Sequence, residues 1–78
     1  MLKILIVDDH QVVRRGLQMT IDAEKDMRVI AEASNGTQVL GAIKKHKPDV
    51  VLMDLQMPEM NGVDALKQTR PAYPNLPI

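Results

Sequence analysis

Lys3-Ile4-Leu5-Ile6-Val7-Asp8-Asp9 is the stretch on which the fold turns. Residues 4 to 7 are apolar without interruption and mostly β-branched. A strand with one face in water alternates apolar and polar residues, whereas a continuous run marks a strand buried on both faces, as in a parallel sheet. The run stops at Asp8-Asp9-His10, and from Gln11 the period changes. Val13, Leu17 and Ile21 recur at helical spacing with Val12, Gly16 and Met19 beside them, and Arg14, Arg15, Gln18 and Asp22 take the opposite arc. This is an amphipathic helix, with Asp9 or His10 placed to cap its first turn.

Outward from this unit the alternation continues. Met27 to Ala33 puts Val29, Ala31 and Ala33 on one face and Arg28, Ile30 and Glu32 on the other, as expected of a strand at a sheet edge. Ser34-Asn35-Gly36 is turn chemistry. Val39, Leu40 and Ile43 mark a second helix that closes in Lys44-Lys45-His46-Lys47, where cations suit the helix dipole, and Pro48 stops it. Val50 to Met53 reads as a second strand buried on both faces, and it ends at Asp54. A loop from Leu55 to Asn61 comes next, shaped by Met57-Pro58. A short third helix runs from about Gly62 to Arg70, carrying Val63 and Leu66, and Pro71 and Pro74 stop it. Leu76-Pro77-Ile78 resembles the lead-in to another strand. Such a β-α-β-α-β-α order implies a parallel sheet with right-handed crossovers. With the two apolar strands adjacent and the alternating one outside, the strand order is 2-1-3. That is the N-terminal part of an α/β, flavodoxin-like doubly wound sheet.

The 78 residues hold one domain, 1–78, with 45% hydrophobic and 26% charged residues, which argues for a packed core over disorder. A chain this short buries only about 60% of its unfolded surface, so stability is marginal. Ten basic and ten acidic side chains balance, and no net field draws the chain to nucleic acid or anionic lipid. The absence of cysteine excludes a disulfide framework, a thiolate metal site and a cysteine nucleophile, and fits a cytoplasmic location. Tyr73 is the sole aromatic residue, which disfavours base-stacking modules. The apolar run before Asp8 is too short for a signal peptide or a membrane span.

In a 2-1-3 sheet, Asp8 and Asp9 after the first strand and Asp54 after the third lie side by side where the winding reverses. Open α/β sheets bind ligands at that place. Two like charges 4 Å apart repel by about 4 kcal/mol at an effective dielectric near 20. Either one carboxylate is protonated or a hard cation sits among them. Oxygen donors suit Mg²⁺ or Mn²⁺. His10, beside two acids at a helix start, reads as a solvated cap or hydrogen-bond partner more readily than as a ligand.

Ile6-Val7-Asp8-Asp9-His10, together with Val51-Leu52-Met53-Asp54-Leu55-Gln56-Met57-Pro58-Glu59-Met60-Asn61-Gly62, resembles the receiver domain of bacterial two-component response regulators. The specific part is a strand-ending Asp, Pro58 four residues on, and Asn61-Gly62 opening the next helix. Asp8 to Leu17 further resembles receivers that carry a LuxR-type helix-turn-helix output domain. The resemblance covers the whole chain but not a whole receiver. The family has five strands and five helices, and this chain is expected to end before the fourth strand, without the family's Ser or Thr, its Lys or an output domain.

The resemblance implies that Asp54 is the phosphoacceptor, that Asp9 ligates Mg²⁺ (or Mn²⁺) directly and Asp8 through water, and that the Gln56 backbone carbonyl is a third protein ligand. It implies a sensor histidine kinase as phosphoryl donor, no membrane partner, and DNA contact only through an output domain outside this chain. The protein would then be a switch and not an enzyme. A haloacid-dehalogenase-like phosphatase wants an Asp where Gln56 stands. The alternative is a non-phosphorylated fragment that associates with itself or another receiver, with the Val50–Met53 strand as the exposed edge.

Overall fold

The computed structural model describes residues 1–54 and 62–78, the side chains of residues 62 and 63 excepted. Three strands, β1 (Leu2–Val7), β2 (Met27–Ala33) and β3 (Val50–Met53), alternate with three helices, α1 (Gln11–Asp22), α2 (Val39–His46) and α3 (Gly62–Thr69). A 3₁₀ turn over Gly36–Gln38 leads into α2. Both strand pairs are parallel, and the order is β2-β1-β3, as the alternation of elements predicts.

Ile4, Leu5, Ile6 and Val7 are all buried, which requires cover on both faces of β1. Ile4 and Ile6 face α1 and pack with Ile21 and Val29. Leu5 and Val7 face the other way, against Ala33, Val39, Ile43, Val51 and Ala65. Each such side chain contributes about 1.5–3 kcal/mol by leaving water, so this one strand anchors both halves of the core.

β2 departs from simple alternation. Ile4 pairs with Val29, but Leu5 pairs with Ala31, so Ile30 is an extra residue in the ladder. A one-residue insertion moves every later residue of the strand to the opposite face, because side chains alternate with a period of two. Val29 therefore joins the α1 side and Ala31 and Ala33 the α2 side, not one shared face.

β3 is less enclosed than its apolar sequence predicts. Val51 is fully buried, whereas Leu52 is 39% exposed. The reason is its place at the sheet margin. α1 lies over β1 and β2 and leaves the sheet beside Leu52 open. For the same reason only Ile21 of the expected stripe is buried, and Val12 (84%) and Met19 (71%) stand in solvent. The margin is not bare, however. The Val51 amide donates to Pro77 O at 2.9 Å, so the segment at Pro77 lies beside β3. Arg70 holds it there, with Nη1 donating to the carbonyls of Leu76 (2.7 Å), Pro74 (3.1 Å) and, weakly, Tyr73 (3.4 Å). Tyr73 and Leu76 rest on the α2-side core.

Local chemistry sets the helix ends. Asn35 Oδ1 accepts from the Thr37 amide at 2.9 Å and opens the 3₁₀ turn. α2 ends at Lys47, in the left-handed region with φ of 52°, where its N–H reaches Ile43 O at 2.8 Å. α1 has His10 at its N-cap, but no side chain among the described residues caps it.

Candidate functional site

Two backbone ladders fix where the acids stand. The Asp8 amide donates to Ala33 O at 3.1 Å, and the Asp54 amide donates to Val7 O at 2.9 Å. The parallel pairing thus runs one residue past each strand and delivers Asp8 and Asp54 to neighbouring positions at the carboxyl edge of the sheet. One carboxylate oxygen from each of Asp8, Asp9 and Asp54 and a ring nitrogen of His10 all lie within 4.8 Å of one another.

The acidic turn is held from inside. Asp8 Oδ1 accepts from the His10 amide at 2.8 Å, closing an Asx turn, and the His10 ring Nδ1 lies 3.1 Å from the same oxygen. The bond from the His10 amide ties the turn before α1, while the capping expected of Asp9 or His10 is not made. Arg14 supplies a second tie. Its guanidinium donates to the Asp8 carbonyl and lies 3.4 Å from Glu32 Oε1 across β2. In the sequence Arg14 stands on the polar arc of α1 and gives no sign of this. Only the helical reach from one turn of α1 back to the end of β1 points to it.

Asp9 is different. Its Oδ1 is buried and accepts no hydrogen bond among the described residues. His10 Nδ1 lies 2.9 Å from it, but only the contact with Asp8 has the geometry of a hydrogen bond. A buried carboxylate oxygen that accepts no hydrogen bond among the described residues, beside two further acids, fits a cation. The donor set of three carboxylates is that of a hard divalent ion. The same field acts on the imidazole. The Asp8 hydrogen bond first, then the charges of Asp9 and Asp54, hold the His10 pKa above its ordinary 6.5.

Asp8, Asp9 and Asp54 are therefore brought together as the sequence predicts. Gln56, the expected carbonyl ligand, lies outside the described residues, as do the Met57-Pro58 loop and Asn61. A groove of about 630 Å³ runs from Asp8 and Asp54 along the α1 side of the sheet, lined by Ile6, Leu17, Leu52 and Ile78.

Residues 4–78 match the response regulator receiver domain family. The chain belongs to that family. Among similar receivers, the transcriptional regulatory protein YhcZ of Bacillus subtilis is 46% identical over 77 residues, covering 99% of this chain and 36% of its own length. LiaR of the same organism is 44% identical over 68 residues, covering 87% of this chain and 32% of its own length. The response regulator domain of Thermotoga maritima CheB superposes with a TM-score of 0.90 at 36% identity, covering 95% of this chain and 55% of that one. A LuxR-family response regulator from Aurantimonas sp. SI85-9A1 gives 0.89 at 31% identity, covering 95% and 53%. This receiver chain thus spans about a third of the curated relatives it matches. No described helix of the receiver is long and apolar enough to cross a membrane.

Proposed function

We propose that this receiver is the phosphoacceptor input module of a transcriptional response regulator, with Asp54 as the residue modified. The observation that carries the reading is the convergence of Asp8, Asp9 and Asp54 at the switch point of the sheet, supported by the family match. The Asp54 carboxylate is the nucleophile. An Asp54 oxygen forms a bond to phosphorus as the P–N bond of the kinase's phosphohistidine breaks, and the departing imidazole takes its proton from solvent. A bound Mg²⁺ or Mn²⁺ would neutralise charge on the carboxylate and phosphoryl oxygens. Asp9, with its unsatisfied oxygen, would hold it directly, Asp8 through water, and the Gln56 carbonyl would complete the protein ligands. Arg14 and the Asx turn keep the two acids at the end of β1 from swinging apart.

The partner in this reading is a sensor histidine kinase in the cytoplasm. Contact with DNA belongs to an output domain outside this chain, as the transcriptional regulators among its relatives suggest. The receiver itself is a switch and turns over no substrate. The test is labelling by acetyl phosphate with Mg²⁺ in a receiver of full family length carrying this sequence. One phosphoryl group on Asp54 is expected, and none in Asp54→Asn. Undiminished labelling of the variant refutes the assignment.

A second reading has its own observation. Val12, Val13 and Met19 are exposed on α1, and the groove beside Leu17 and Leu52 is apolar. The 78-residue chain by itself should associate through this face, and less through the β3 edge, because Pro77 already occupies the Val51 amide. Sedimentation equilibrium at about 100 μM, where a two-state monomer would also melt cooperatively, decides it: a well-folded monomer rules association out.

A further inference from the structure

We infer that His10 adds an imidazole nitrogen to the cation site, so that this receiver holds first-row transition cations of the Co²⁺ and Ni²⁺ kind more tightly than three carboxylates alone would. The inference rests on the proposed cation site and specifies its metal preference. Its first support is spacing. Donors on adjacent corners of an octahedral ion with bonds of about 2.1 Å stand about 3 Å apart. His10 Nδ1 is 3.1 Å from Asp8 Oδ1 and 2.9 Å from Asp9 Oδ1. The nitrogen therefore stands where a corner next to Asp9 Oδ1 would be, with Asp8 close enough to act through water.

The second support is the buried Asp9 Oδ1, which accepts no hydrogen bond among the described residues although the ring lies against it. If His10 were placed only to satisfy the acids, Asp9 would be the poorer served of the two. A cation held by the ring and Asp9, with Asp8 reached through water, serves both.

The third support is access. The ring is largely exposed, and it is tethered by its own amide bond to Asp8. A cation would displace the Nδ1 proton that Asp8 accepts and leave the Nε2 proton to solvent. An imidazole donor does little for Mg²⁺, which takes oxygen and keeps its waters, but it suits Co²⁺ and Ni²⁺, which also stand higher in the intrinsic affinity order.

The experiment is calorimetric titration of the 78-residue chain and its His10→Ala and His10→Gln variants with Co²⁺ and, separately, Mg²⁺, with the visible Co²⁺ spectrum recorded alongside. Loss of outer-shell partners alone lowers metal affinity on the order of tenfold or more, so loss of a direct ligand should lower Co²⁺ affinity by at least about tenfold in both variants. Mg²⁺ affinity should stay within about twofold, since the oxygen donors are intact. In wild type the Co²⁺ band should move from its position in water to shorter wavelength, as nitrogen replaces oxygen, and it should not do so in the variants. Equal Co²⁺ affinity in all three proteins, or an unshifted wild-type band, overturns the role of His10 while Mg²⁺ binding still upholds the carboxylate site. Absence of binding by either cation to wild type overturns both.

Discussion

Replacing Arg70 by Ala should loosen the last segment of the chain and uncover β3. The Arg70 guanidinium makes one short bond, to Leu76 O at 2.7 Å, one ordinary bond, to Pro74 O at 3.1 Å, and one at 3.4 Å too long to count for much. A charged donor is worth about 1.5–3 kcal/mol to a shielded acceptor and less where water competes. The half-exposed setting of Leu76 and the exposure of Pro74 favour the low end, about 1.5 kcal/mol for the first bond and under 1 for the second. The total of about 2 kcal/mol is a large share of the roughly 4–12 kcal/mol expected for a chain of this size. At about 4–8 °C per kcal/mol, Tm should fall by about 8–16 °C. Circular dichroism measures the melt, and amide exchange reads the local consequence: the Val51 N–H, bonded to Pro77 O, should lose protection ahead of Leu5 and Val7. Arg70→Lys, with one donor group in place of the fork, should recover part of the loss. An Arg70→Ala melt within about 2 °C of wild type, with Val51 equally protected, refutes the clamp.

Three further outcomes are expected. Thr69 is fully buried and its Oγ1 has no hydrogen-bond partner among the described residues, so Thr69→Val should raise stability by about 1 kcal/mol in a urea titration. Lys47 ends α2 with φ of 52°, a conformation that glycine adopts without a Cβ clash, and Lys47→Gly should stabilise by about 0.5–1 kcal/mol in the same assay. The His10 pKa is raised in the folded chain above 6.5 by the Asp8 hydrogen bond and then by Asp9. Its stabilising contribution is therefore complete below pH 6.5 and lost as pH rises through the higher folded value. The ring proton resonances should titrate with a midpoint above 6.5, and the midpoint should drop back in Asp8→Asn.

How much of the fold was legible in the sequence depends on where the information sits. The uninterrupted run Ile4 to Val7 carries its own message, since only a strand covered on both faces tolerates it, and with it came the strand order and the convergence of Asp8, Asp9 and Asp54. The bulge at Ile30 could not be read, because Val29, Ala31 and Ala33 alternate cleanly on paper and an extra residue changes facing without changing composition. Nor could the exposure of Val13 and Leu17. The helical period shows which residues share a face of α1, while burial depends on how far the sheet beneath extends. Arg14 and Arg70 look like ordinary surface cations. Their roles come from carbonyl groups that only the folded chain places within reach. The side-chain cap expected of Asp9 or His10 is not made: the His10 ring lies against the Asp8 and Asp9 carboxylates and not against the first amides of α1.

The proposed divalent-cation site of Asp8, Asp9 and Asp54 stands or falls on a Mg²⁺ titration followed by amide ¹H–¹⁵N spectra. Saturable shifts centred on Asp8, Asp9, His10 and Asp54 are expected, with affinity clearly weakened in Asp9→Asn, where the buried oxygen that accepts no hydrogen bond among the described residues loses its charge. Equal affinity in wild type and Asp9→Asn, or shifts that leave Asp54 untouched while Asp8 responds, contradicts it.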